Sequence, residues 1–188
     1  MANIMHKTMD SIYSRRSIRQ YKPQQINSQE TKTILNAALY APSARNLQDW
    51  HFSVVQDPAL RLKLKKILIE NMNNSGVGFL IQKAEDPSFD PFFNAPTVVF
   101  ISGNADDKFV DISCGAAAQN LMLAAESLNI GSCIITTPEL LFAADKEDEL
   151  KKELGFPSGY RFVYAITLGY KNCENPAAAP RKNVISFL

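Results

Sequence analysis

Glycine is scarce in this chain, eight residues in 188, and none falls into G-x-G-x-x-G or G-x-x-x-x-G-K-[ST] spacing. A dinucleotide on a doubly wound sheet and an ATP-type phosphate loop both need such glycines to let backbone approach phosphate, so both are poorly supported. Cysteine is equally sparse: Cys114, Cys133 and Cys173 form no C-x-x-C pair and no even disulfide set, which points to a reducing, cytoplasmic setting. The two histidines, His6 and His51, have no neighbours at ligand spacing. A zinc or iron centre, which takes three or four ligands, is therefore not expected. Twenty Lys and Arg stand against nineteen Asp and Glu, and a formal net charge of +1 supplies no long-range field for nucleic acid or an anionic membrane. No run of apolar residues is long enough to cross a bilayer, and Lys7, Asp10, Arg15 and Arg16 interrupt the first residues, so neither a span nor a secretion signal is read.

What is present is ordinary globular material, 46% hydrophobic and 21% charged, enough for one compact domain over residues 1–188. Met5, Met9, Ile12 and Tyr13 recur at helical spacing. Asn27, Ser28, Gln29 and Glu30 resemble a capping box, opening a second helix that Pro42 ends. A strand is predicted from Trp50 to Val55, then a helix from Pro58 to Met72, broken by Asn73 to Gly78. Residues 78–90 are weakly patterned, as a mobile cover would be. Ala95 to Ser102 (APTVVFIS) reads as a strand covered on both faces. Asp106 to Leu128 reads as a long helix, and its small residues Gly115 to Ala118 would admit a second helix or a flat ligand. Asn129 suits a left-handed cap. A strand from Ser132 to Thr136, a helix from Pro138 to Leu154 and a strand from Arg161 to Leu168 complete an α/β or α+β sandwich around one central sheet. Residues 170–188 end in Val184, Ile185, Phe187 and Leu188, an apolar arm that needs a surface, for which a partner subunit is the natural candidate.

Two segments carry chemistry. Arg15, Arg16, Ser17 and Arg19 offer guanidinium forks and a hydroxyl, suited to phosphate oxygens or, equally, to a solvated basic turn. The loop from Pro42 to Asp49, rich in small and amide residues, feeds a strand and so places a site at an element terminus. Four blocks then resemble one family in order and spacing: RRSIRQY at 15–21, APSARNLQDWHF at 41–52, a small-residue helix leading to GSCIITTPE, and a terminal GY...PRK. They are similar to the nitroreductase-like FMN-dependent oxidoreductases.

The resemblance implies an α+β fold, an α/β/α sandwich with a central mixed, mostly antiparallel sheet, in an intertwined homodimer. It implies FMN as cofactor, NADH or NADPH as electron donor, and a small oxidised acceptor such as a nitroaromatic or quinone. Arg15, Ser17 and Arg19, with Arg16 as a further candidate, would bind the ribityl phosphate, joined by the terminal Arg181 and Lys182. Pro42, Ser43, Ala44 and Asn46, with Gln48 as a weaker candidate, would reach a flavin held mainly by the other subunit. Ile134, Ile135, Thr136 and Thr137 would lie against the isoalloxazine ring.

These roles suit flavin chemistry, in which the protein tunes and positions the cofactor, so no catalytic acid or base is expected and the lack of a Ser-His-Asp set is natural. The sequence departs from the family at Asp49, where proline is usual, and at Ala44 and Arg45. Asp49 reads as a turn acid and Arg45 as solvent-facing. Trp50, His51 and Phe52 read as packing, and so does Cys133, which has no resolving partner in sequence. Rival readings keep the flavin and change the role. One is a specialised enzyme of reductive dehalogenation, flavin fragmentation or dehydrogenation, which the short 71–93 segment disfavours; the other is a non-catalytic flavin-binding module.

Overall fold

The structure, a computed structural model, describes residues 7–143, 147–176 and 184–187. Four strands, β1 (Trp50–Val55), β2 (Thr97–Asn104), β3 (Ile130–Ile135) and β4 (Tyr160–Tyr170), form one sheet in the order β1-β2-β4-β3. All three pairings are antiparallel, with a bulge where β2 passes from Ile101 to Ser102 against β4. Among the described residues the parallel component expected of a mixed sheet is a single bridge, Ser17 to Ser132, which lays the segment after the first helix along the outer edge of β3.

Alternation along the inner strands sorts the core into two layers. Val99 and Ile101 face one side with Trp50, Ile166 and Leu168, beneath α2 (Ser28–Leu39) and α5 (Val110–Ser127). Val98 and Phe100 face the other with Val55, Phe162 and Ala165, beneath α3 (Pro58–Asn73) and α4 (Gly78–Ala84). Residues on a strand alternate sides with a period of two, so this VVFI run must be apolar throughout to serve both layers. Side chains this large, buried at roughly 2 kcal/mol each, dominate the stability of the sandwich.

Local signals set the helix ends. The Asn27 side chain accepts from Glu30 N and the Glu30 carboxylate accepts from Asn27 N, the reciprocal capping box expected for α2. Asp57 caps α3 ahead of Pro58, whose missing N–H costs nothing at that position. Asn129 adopts φ 57° after α5, as expected of a left-handed cap. Close packing depends on three glycines: a Cβ at Gly103 would collide with Val110 and approach Asp49 O to 3.1 Å, one at Gly131 would lie 2.9 Å from Ile18 Cγ2, and one at Gly169 would lie 2.7 Å from Pro96 Cδ.

The structure departs from the expected elements in three places. The weakly patterned stretch contains the short helix α4, with Val77 and Phe79 exposed. The long helix starts at Val110 rather than near Asp106, because the Asp107 side chain accepts from Phe109 N and turns the chain first. The predicted helix from Pro138 to Leu154 is instead a 3-10 turn, Thr137–Phe142, and α6 (Glu147–Glu153). Pro138 and Leu141, three apart, are both buried, and that spacing shares a face on a three-residue turn. The first helix, α1 (Lys7–Ser14), packs on α5. No helix among the described residues is long and apolar enough to cross a membrane.

Candidate functional site

Beyond α1 the chain is extended, and extension explains why the motif reads R-x-S-x-R. Residues two apart share a side in such a segment. Ile18 is buried, its N–H donating to Ser132 O at 2.9 Å and its C=O accepting from the Tyr21 hydroxyl at 2.5 Å. Arg15, Ser17 and Arg19, two apart on this extended segment, lie near the Cys133 thiol of β3. Burial pushes that thiol above its ordinary value, against the opposing pull of Arg19, the Ser17 hydroxyl and Arg15. The Arg19 guanidinium also stands 5.8 Å over the ring of Phe93. Arg16 faces elsewhere: its Nη1 donates to Tyr13 O at 2.8 Å and Arg15 O at 2.6 Å, closing the end of α1. The structure thus brings together three of the four predicted residues of this motif and turns the fourth onto its own backbone. Arg181 and Lys182 lie outside the described residues.

At the end of β3, Ile134 is exposed, Ile135 points into the core and Thr136 is exposed again before the 3-10 turn starts at Thr137. Side chains from this stretch are available at Ile134, Thr136 and the half-buried Thr137, and only backbone at Ile135. A cleft of about 480 Å³ opens beside Arg19, lined by Tyr21, Phe89, Phe93 and Asn172 among others.

The second predicted segment lies across the sheet. Pro42 is exposed, Ser43 and Ala44 are half-buried, and Arg45, Asn46 and Gln48 are exposed. Arg45, Asn46 and Gln48 all have φ of 54°, a left-handed conformation that costs a residue with a Cβ about 1–2 kcal/mol. Short polar contacts hold the loop there. Gln48 N donates to Ser43 Oγ at 3.0 Å, Ala44 N to Ser113 Oγ at 3.3 Å, and Gln48 Nε2 to Asn46 Oδ1 at 3.0 Å. The last bond fixes the Asn46 amide so that its NH2 remains the outward donor. Asp49 is a turn residue, its carbonyl accepting from Asn104 N at 3.2 Å and its carboxylate from Asn104 Nδ2 at 3.3 Å. Arg45 is largely solvent-facing, with Asp107 at 3.7 Å as an ionic neighbour.

Trp50 is buried and tilted against Phe52 at 6.5 Å, in agreement with a packing role. Sequence reasoning missed Phe93, Ser113 and Asp107. Nothing in a single sequence marks a serine in the first turn of a helix as the acceptor for a loop sixty-nine residues earlier.

The donor set around Cys133, two guanidiniums and a hydroxyl on one side of an extended segment, fits a phosphate; the small, amide-bearing loop fits the polar edge of a planar ring. An antiparallel α+β sandwich of this order is the fold of the class of proteins to which the comparisons assign the chain. Residues 12–170 match the Nitroreductase family, and the chain belongs to it. It is 31% identical over 170 residues, 90% of this chain and 88% of the relative, to a putative NADH dehydrogenase/NAD(P)H nitroreductase of Archaeoglobus fulgidus. It is 30% identical over 183 residues, 94% of this chain and 70% of the relative, to an NADPH-flavin oxidoreductase of Vibrio harveyi. A nitroreductase from Bacteroides fragilis solved with bound FMN superposes with a TM-score of 0.92 at 25% identity, covering 98% of this chain and 100% of that one.

Proposed function

We propose that the protein is an FMN-dependent NAD(P)H oxidoreductase that passes electrons to a small oxidised acceptor such as a nitroaromatic or a quinone. The observation that carries this is the alternation of Arg15, Ser17 and Arg19 along the extended segment bridged to the edge of β3 at Ser132, in a chain whose relatives are named for NAD(P)H and flavin chemistry. When bound, FMN supplies reversible acceptance and release of electrons, which no side chain here can. Arg15 and Arg19 bind and neutralise its phosphate, and Ser17 donates the uncharged hydrogen bond between them. Ile134 and Thr136, with the backbone from Ile135 to Thr137, form the floor for one ring face. Asn46 offers its NH2, and Ser43 and Ala44 their small surfaces, to the ring edge.

Within one chain these halves do not meet. β1 and β3 are opposite edges of the sheet, three strand spacings or about 14 Å apart, before any displacement along the strands is added. A second copy supplies the missing half, so the working unit is a homodimer with two equivalent sites. Support comes from the open face of α5, where a Cβ at Gly115 would meet nothing within 4 Å. Ile112 on the same helix stands 74% exposed, and Tyr40, 87% exposed, lines a groove with Ala37, Asn120, Leu123 and Ala124. Val184, Ile185 and Phe187 are likewise uncovered within one chain, as an arm that embraces a partner would be. The charge balance and the free cysteines suit a cytoplasmic protein.

The test is a visible spectrum of the purified protein followed by anaerobic titration with NADH and with NADPH. A yellow protein that bleaches with either nicotinamide, faster than free FMN does, is the expected result. Colourless protein that takes up no added FMN rejects the proposal, and flavin reduced no faster than in free solution makes it a binding module instead.

A further inference from the structure

The loop from Ser43 to Gln48 holds three left-handed residues without a glycine among them, and such a conformation persists only where the surroundings over-determine it. Two of the groups that do so, one in the turn before α5 and one in its first turn, have no place in the expected cofactor contacts. Ser113 is 4% exposed, and its Oγ accepts the N–H of Ala44. Asp107 is 7% exposed, caps Phe109 N with its carboxylate and lies 3.7 Å from the Arg45 guanidinium. One fixes the residue before the left-handed run by a hydrogen bond, and the other holds the first residue of the run by charge. Ser113 sits on the helix whose open face would meet a second copy and Asp107 in the turn that leads into it, so the loop is tied to the element proposed to form the interface.

We infer that Ser113 is a positioning residue for the flavin, with Asp107 as its weaker companion: together they clamp the Ser43–Gln48 loop in the conformation that presents Asn46 to a flavin bound chiefly by the partner. The inference rests on the proposed FMN function. Without Ser113 the Ala44 N–H turns to water and the loop relaxes toward ordinary φ values. The flavin would then have to rebuild the strained conformation on binding, which lowers affinity and leaves the phosphate contacts intact.

The test compares full-length wild type with Ser113→Ala, Ser113→Thr and Asp107→Asn. Two readouts are taken: FMN affinity from quenching of flavin fluorescence, and amide hydrogen exchange over residues 43–48. Ser113→Ala is expected to weaken FMN binding roughly tenfold, the size of one lost buried hydrogen bond, and to speed exchange across the loop. Ser113→Thr, which keeps the acceptor, restores both, and Asp107→Asn weakens binding roughly threefold. Wild-type affinity and unchanged exchange in Ser113→Ala overturn the clamp, as does a fall in thermal stability with affinity unchanged, which marks a purely structural serine. Should Ser113→Ala not fold, Asp107→Asn decides: unaltered loop exchange there overturns the clamp. Wild type that binds no FMN rejects the functional proposal separately, while the exchange data still judge the clamp.

Discussion

Around Cys133 the cationic residues ride on an extended segment whose own hydrogen bonds are satisfied, Ile18 N to Ser132 O and Lys22 N to Tyr170 O, both at 2.9 Å. Between Pro42 and Asp49 the chain instead turns through three left-handed residues held by side chains. The first half-site is an extension of the sheet and inherits its rigidity; the second is a strained loop that borrows rigidity from α5. The proposed recognition of a phosphate would tolerate the first arrangement, because guanidiniums reach a target on long stems. The proposed contact with a ring edge would need the second, because small side chains and an amide must be carried to a ligand by backbone.

The largest effect that separates the halves comes from the charges. Replacing Arg15 and Arg19 together by Ala removes two charge-assisted contacts of about 2 kcal/mol each, and FMN affinity falls on the order of a thousandfold. Thermal stability changes little, because both side chains lie outside the two core layers. Fluorescence titration and a melting curve read the two quantities separately. A variant that keeps wild-type affinity removes the phosphate from this half-site.

Two glycines invert that pattern, since each backs one half-site from within the fold. Gly103→Ala drives a methyl into Val110 and toward Asp49 O, and the overpacking costs about 3 kcal/mol at the loop side. Gly131→Ala meets the stiff, branched Ile18 at 2.9 Å and costs about 2 kcal/mol while lifting the arginine segment from β3. Denaturant unfolding measures both losses. Gly131→Ala weakens FMN binding through the phosphate contacts, so lowering the ionic strength restores part of its affinity. No such recovery follows for Gly103→Ala, whose damage falls on the loop.

The same contrast governs what could be read before the fold was known. The strand VVFI, the capping box at Asn27 and the left-handed Asn129 are local, and each appears where its neighbours in sequence place it. Arg15, Ser17 and Arg19 were named ahead of Arg16 through the family resemblance, and the turn of Arg16 onto Tyr13 O depends on where α1 stops. The split of residues 137–154 into a 3-10 turn and α6 follows from what lies beneath Pro138 and Leu141, and Ser113 and Phe93 gain their importance from partners far along the chain. Tertiary placement decided these, and composition does not encode it.

Thiols sharpen the comparison further, because one lies behind each half-site. Cys114, next to Ser113, is pushed by burial up to about 12, while Cys133 is raised by burial and drawn back by the arginines above it. An unfolded thiol ionises near pH 9, so between that value and about 12 the folded state holds a proton on Cys114 that the unfolded state has lost. Stability from this residue is complete below pH 9 and declines above it by about 1.4 kcal/mol for each pH unit. Chemical unfolding at pH 8, 9.5 and 10.5 should show a shallower decline in Cys114→Ala than in wild type. Parallel slopes would mean that Cys114 ionises as freely in the fold as in the open chain. Alkylation should follow the same order, Cys133 ahead of Cys114.

The smallest expected effect tests whether the arginine half-site is as free of strain as its backbone pairing suggests. Phe93 supports Arg19 from below and has φ of 56°, with Asn94 following at 54°, so a bulky residue occupies a conformation it disfavours in order to place its ring. Phe93→Leu removes the ring, and with it a cation–π contact of about 0.5–1 kcal/mol, so FMN binding weakens roughly threefold. Phe93→Asn loses the same contact and relieves the backbone, because asparagine tolerates the left-handed region. The two variants should therefore match in FMN affinity, while Phe93→Asn regains part of the stability that Phe93→Leu does not. If Phe93→Leu binds FMN as wild type does, the ring is packing alone, and Arg19 holds its position through the pairing of Ile18 with β3.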